Sequence, residues 1–166
     1  MDLSIIILAY NYEKYIKECI DSCVFQKDPK LKYEIIIIDD GSTDNTKEIL
    51  SKINDKNIHV HTTKNQGIEI AANLGIFLSQ GRYILRVDAD DMLHNKYLNV
   101  ISSYLRKNYK FLYTDYFIIN ENSKIIDQME LPPFSKKEIM TRGDFLATGT
   151  IFCKSLLDKF GLYNTD

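Results

Sequence analysis

A chain of 166 residues, 45% hydrophobic and 27% charged, can bury one sizeable core and shows no disordered or fibrous bias. Its formal net charge of −2 supplies no general basic footprint for nucleic acid. No apolar run approaches the roughly 18 residues of a membrane span, and Met1-Asp2-Leu3-Ser4 lacks the positive start of a secretory signal.

Leu3 to Ala9 is apolar except for Ser4, the pattern of a strand buried on both faces. Tyr10-Asn11-Tyr12 breaks it. Tyr15, Ile16, Cys19, Ile20, Cys23 and Val24 then recur at helical spacing, up to Asp28-Pro29. Cys19 and Cys23 share the apolar face and read as buried small hydrophobes. With Cys153 they make an odd count without metal or redox spacing, which fits a reducing compartment.

Glu34 to Ile38 predicts a second buried strand, stopping at Asp39-Asp40-Gly41-Ser42-Thr43-Asp44. Asn45 with Glu48 has the form of a capping box opening a helix through Ile49, Leu50 and Ile53. Ile58 to His61 predicts a third, weaker strand. After Asn65-Gln66-Gly67 comes a helix carrying Ile70, Ala71, Leu74, Phe77 and Leu78, with Gly81 expected as its C-terminal stop. Tyr83 to Val87 predicts a fourth strand, ending in Asp88-Ala89-Asp90-Asp91.

The first 90 or so residues therefore alternate strand and helix, which implies a parallel sheet covered by helices. Ligands of such sheets bind beyond the carboxyl ends of the strands. Tyr10-Asn11, Asp39 to Ser42 and Asp88 to Asp91 all fall at that edge, where carboxylates suit a hard cation such as Mg²⁺ or Mn²⁺. Neither G-x-G-x-x-G nor G-x-x-x-x-G-K-[ST] is present, so a nucleotide here would be held by carboxylates and metal, not by a glycine cradle.

Beyond Asp91 the pattern predicts a helix through Tyr97, Leu98, Ile101, Tyr104 and Leu105. A strand is expected from Phe111 to Ile119, with Lys124 to Met129 as its hairpin partner. Ser135 with Glu138 predicts a short helix, Thr148 to Cys153 a further strand, and Ser155 to Phe160 a last helix.

Together these stretches resemble the N-terminal part of family 2 glycosyltransferases, GT-A fold enzymes that use nucleotide-diphosphate sugars. The matching segments are Ser4 to Asn11, Glu34 to Asp44, Asn65-Gln66-Gly67, Asn73-Leu74-Gly75, Gly81 to Ile84 and Asp88 to Asp91. The resemblance implies a three-layer α/β/α domain with a mostly parallel central sheet. Residues 1–91 would form the nucleotide-binding half and 92–166 the start of an acceptor-side half.

By the same resemblance, Ala9 and Tyr10 line the base pocket and Asp39 accepts hydrogen bonds from the base, typically uracil. Asp40 shapes that loop, and Asp88, Ala89 and Asp90 contact the donor. Asp90 would be the chief ligand of Mn²⁺ or Mg²⁺, with Asp88 close by and Asp91 as helper. The implied reaction transfers a sugar from a UDP-type donor to a hydroxyl of a glycan or lipid-linked acceptor, inverting and metal-assisted. A location in the cytoplasm is expected, peripheral at the inner membrane face if a further segment anchors the protein.

Two departures stand out. Many family members carry an arginine where this chain has Ala72, so a diphosphate contact is lost or supplied elsewhere, with Lys64 one alternative. The family's general base follows the equivalent of Phe160-Gly161-Leu162-Tyr163, so it is expected beyond Asp166, and the chain is expected to be a truncated domain. Asp115 and Asp144 are acids of the acceptor-side region but are not assigned as the base. Three other readings stand beside this one, of which a doubly wound structural domain with no ligand leaves the three polar clusters on one edge unexplained. A nucleotidyltransferase would show a basic glycine-rich loop after the first strand, and a non-catalytic nucleotide-sugar-binding module would lack the base.

Overall fold

The computed structural model describes residues 1–26, 31–135, 137 and 148–165. Strands β1 (Leu3–Ala9), β2 (Tyr33–Asp39), β3 (Ile58–Thr62) and β4 (Tyr83–Asp88) alternate with helices α1 (Ile16–Val24), α2 (Thr46–Ser51) and α3 (Ile68–Leu78). There follow α4 (Tyr97–Arg106), β5 (Phe111–Leu112), β6 (Tyr116–Ile119), β7 (Ile125–Met129) and β8 (Ile151–Cys153). A 3₁₀ turn (Lys154–Leu156) leads into α5 (Leu157–Phe160).

The main sheet has six strands in the order β3-β2-β1-β4-β8-β5. The first four are parallel, and β8 joins antiparallel to both β4 and β5. Strand alternation divides the apolar residues between two cores. Leu3, Ile5, Ile7, Ile35 and Ile37 pack on the side of α1 and α4. Ile6, Leu8, Ile36, Ile38 and Ile84 face Ala71, Ala72 and Ile76 of α3. Burial on both faces is why these strands are nearly unbroken isoleucine runs. Cys19 and Cys23 are free and buried, as their spacing suggested, and Cys153 is free and buried as well.

Four local expectations need correction. Phe111 to Ile119 is not one strand. Tyr113 Oη donates to Pro132 O (2.8 Å) and Leu131 N donates to Asp115 Oδ1 (2.8 Å), drawing the chain out of the main sheet after Leu112. The second half pairs instead with β7 as a separate two-stranded hairpin. Asn45 does not cap α2: Thr46 N donates to Asp44 Oδ1 (2.9 Å), while Glu48 pairs with Lys52. Gly81 does not end α3, whose last residue is followed by Ser79 in extended conformation. A side chain at Gly81 would overlap the backbone of Leu3 and Ser4, and this close approach is what requires glycine there. Thr148 and Gly149 form a turn and Thr150 is irregular, so only Ile151–Cys153 is strand. The helix expected at Ser135 and Glu138 lies outside the described residues. Among the described residues no helix is long and apolar enough to cross a membrane.

Candidate functional site

In register, Ala9 lies beside Asp39 and Leu8 beside Asp88, so the polar residues that follow β1, β2 and β4 share one edge of the sheet. Asp39 is wholly buried. Its Oδ1 accepts Ser42 N–H (3.0 Å), whereas its Oδ2 has no hydrogen-bond partner among the described residues. An unpaired carboxylate oxygen inside a protein is costly, and its persistence points to a donor supplied from outside.

Asp40 faces the other way. Its carboxylate accepts Thr63 Oγ1–H (2.9 Å), Gln66 N–H (3.0 Å) and Gly67 N–H (2.9 Å), pinning the loop that leads into α3. Gly41 completes the turn with φ of 78°, and a side chain there would meet Asn65 N at 2.7 Å.

Asn11, itself left-handed at φ 62°, clamps this loop from the opposite side. Its Oδ1 accepts Thr43 N–H (2.7 Å), and its own N–H donates to Ser42 Oγ (2.9 Å). Tyr12 N–H donates to Thr46 Oγ1 (2.9 Å). The loops after β1 and β2 are thereby one unit, with Tyr10 exposed beside them and Ala9 buried beneath.

The third cluster turns off β4. Ala89 is buried, Asp91 is half-buried and Asp90 is exposed. Thr148 Oγ1 accepts Asp88 N–H (3.0 Å) and bonds the Asp91 carboxyl. Burial pushes the Asp91 carboxyl above its ordinary value, opposed by the Thr148 bond and helped by the charges of Asp90 and Asp88. The Tyr12 phenol is pushed up by burial and then by Asp90, Asp88 and Asp91, so its ring belongs to the same site. Asp88 is paired with Arg86, Nε to Oδ1 at 3.2 Å.

An open cavity of about 400 Å³ adjoins Asp90 and Asp91, between Tyr15 and Glu18 on one side and the β6–β7 hairpin on the other. Among the described residues no group of three or more His, Cys, Asp or Glu side chains is poised to hold a metal by itself. The oxygen donors present are the exposed carboxylate of Asp90, that of Asp88, and Asp91 next to them. Such a set fits Mg²⁺ or Mn²⁺ sharing its remaining positions with phosphate and water.

Asp115 is engaged with Leu131 N–H, Lys64 is exposed, and Ala72 is buried on the α3 face. Asp144 lies outside the described residues. Asn11 was placed at this edge from the sequence, whereas Tyr12, Arg86 and Thr148 join the site without having been given a role there. Arg86 carried a signal, as a charge inside an apolar strand. Thr148 carried none, because its partner Asp88 is 60 residues away.

The glycosyl transferase family 2 profile matches residues 4–164. Over 135 residues the chain is 36% identical to an uncharacterised glycosyltransferase of Rickettsia felis, covering 80% of this chain and 22% of that protein. It is 33% identical over 144 residues to a chondroitin synthase of Pasteurella multocida, covering 84% of this chain and 15% of that protein. The structure of S. aureus TarS residues 1–349 in complex with UDP-GlcNAc superposes with a TM-score of 0.78 at 26% identity, covering 98% of this chain and 48% of that one. The chain thus spans about a fifth of these curated relatives or less, and about half of the solved neighbour. The shared architecture is the GT-A fold expected from the sequence. With nearly its whole length matched, the chain belongs to glycosyl transferase family 2.

Proposed function

We propose that the chain binds a UDP-type sugar donor and forms the donor-side part of an inverting glycosyltransferase that acts on a glycan or lipid-linked hydroxyl. The observation that carries this reading is the buried Oδ2 of Asp39, unpartnered among the described residues, beside Ala9 at the sheet edge. Uracil presents an imide N–H that this oxygen can accept, whereas cytosine presents an acceptor there and would leave two acceptors facing each other. The solved TarS neighbour was captured with UDP and with UDP-GlcNAc, which supports the same donor class.

In this reading Tyr10 and Ala9 flank the base, and Asp40 keeps the loop before α3 in place. Asp88, Ala89 and Asp90 meet the ribose and diphosphate. Asp90, with Asp88 and Asp91 beside it, would hold Mn²⁺ or Mg²⁺. Such an ion, when bound, would supply positive charge against that developing on the leaving diphosphate. The acceptor hydroxyl attacks the anomeric carbon opposite the UDP oxygen, forming one C–O bond as the other breaks, and its proton passes to a general base. We assign that base to none of the described residues. The cavity beside Asp90, with Tyr15, Tyr116 and Phe117 on its walls, is the space for the acceptor.

The test is calorimetric titration of UDP, with CDP as control, with and without Mn²⁺, on wild type, Asp39→Ala and Asp90→Ala. Wild type should bind UDP more tightly with Mn²⁺ and prefer it to CDP. Asp90→Ala should abolish the metal effect and Asp39→Ala the preference. A folded wild type that binds UDP under neither condition sinks the reading.

A further inference from the structure

β4 holds a full positive charge inside a strand otherwise built for burial. Tyr83, Ile84, Leu85 and Val87 are buried, and Arg86 stands among them. Strand alternation puts Ile84, Arg86 and Asp88 on the face covered by α3, where Ile84 packs with Ala72 and Ile76. Arg86 lines a narrow cleft with Ala72, Ile76, Phe152 and Tyr163. The small side chain of Ala72 leaves space there for a long neighbour.

From this cleft the guanidinium reaches up to the carboxyl edge of the sheet. Its Nε lies 3.2 Å from Asp88 Oδ1, and its Nη2 donates to Asp88 Oδ2 at 3.3 Å. A guanidinium has five N–H donors in a planar fork. The side chain of Arg86 retains 28% exposure, so the fork is not closed off by the pair with Asp88.

A purely stabilising role explains little, because apolar residues of similar volume commonly match or exceed a half-buried ion pair in stability. What apolar residues cannot do is attract an anion to an edge that otherwise presents Asp39, Asp88, Asp90 and Asp91. We propose that Arg86 is a diphosphate-binding residue of the donor site, taking a phosphate oxygen with N–H groups that Asp88 leaves free and keeping Asp88 in orientation as it does so. The proposal rests on the donor-site reading above and adds to it the cation that the α3 face does not supply at Ala72.

The experiment titrates UDP, and uridine as the phosphate-free probe, into wild type, Arg86→Gln and Arg86→Lys, each in Mn²⁺ and in EDTA, with a thermal melt of every variant. Arg86→Gln should weaken UDP binding by about tenfold or more in both buffers. Uridine binding should stay at the wild-type level, and Arg86→Lys should recover part of the loss. Loss confined to Mn²⁺ would mean that Arg86 acts only through Asp88 and overturns the proposal. Unchanged UDP affinity, or equal loss of uridine, overturns it too. If Arg86→Gln does not fold, Arg86→Lys decides, since wild-type UDP affinity without the planar fork contradicts the assignment. A wild type that binds UDP in neither buffer removes the donor-site reading itself, an outcome seen before any variant is made.

Discussion

Asp39 and Asp40 are consecutive residues whose carboxylates have opposite surroundings. Asp40 accepts backbone N–H groups from Gln66 and Gly67 and a hydroxyl from Thr63, whereas Asp39 keeps one buried oxygen without a partner among the described residues. The first is tied within the protein, and the second is the one that the donor-site reading assigns to the base. Asp40→Ala should lower stability by about 1 to 3 kcal/mol, since it leaves three part-buried donors without their carboxylate partner, and the melting temperature by roughly 3 to 10 °C. Asp39→Ala should melt much closer to wild type while losing UDP affinity by about tenfold or more. Paired melts and titrations check this, and equal melting losses would contradict it.

Gly41→Ala tests whether the turn after β2 sets the site. The backbone is left-handed at φ 78°, and an added Cβ would meet Asn65 N at 2.7 Å. The left-handed conformation alone costs roughly 1 to 2 kcal/mol for a residue with a Cβ. Because the obstacle is backbone, the loop before α3 must shift to relieve it. The expected result is a lower melting temperature together with weakened UDP binding, read by melting curves and titration on the same sample.

Asp44 gives stability a pH dependence. Slight burial raises its carboxyl, but the hydroxyl and N–H of Thr46 and the N–H of Glu13 outweigh it and hold the pKa below the ordinary value. A depressed folded-state pKa contributes stability that is present above the unfolded pKa and lost as pH falls through the folded one. Asp44→Asn should therefore melt below wild type at neutral pH, and the gap should close as the buffer is taken below the ordinary Asp range. Melting curves between neutral and acid pH check the sign, and a gap that widens in acid would refute it.

Asn73 holds the end of the described chain against α3. Its Nδ2 donates to Tyr163 O (2.9 Å), and its Oδ1 accepts Tyr163 N–H (2.9 Å). Asn73→Ala removes both bonds without touching the cores. Amide exchange at Tyr163 should speed up by about tenfold or more, while the melting temperature changes little. Hydrogen exchange followed by NMR resolves this, and unchanged protection would mean that the segment is held by other contacts.

Much of the acidic sheet edge was legible in the residues alone. Isoleucine runs such as Ile35 to Ile38 announce strands buried on both faces, and the acids at Asp39 and Asp88 mark where those strands end. Parallel connection then brings those ends to one side. The faults lay where a local pattern has a distant competitor. Asn45 and Glu48 have the letters of a capping box, yet Asp44 takes the N–H of Thr46 while Asn45 bonds Glu13, 32 residues away. Phe111 to Ile119 has the periodicity of one strand, but Asp115 and Tyr113 are claimed by Leu131 and Pro132.

The sequence by itself determined the alternation of strands and helices, the two-sided burial of the sheet and the edge on which the acids collect. These follow from periodicity and short connections, which are local properties of the chain. Only the tertiary structure decided which of two adjacent carboxylates is saturated, that Arg86 reaches Asp88 beside Ala72, and that Thr148 bridges Asp88 and Asp91. Each of those depends on where a distant or opposing hydrogen-bonding group finally comes to rest, and no pattern within a single segment carries that information.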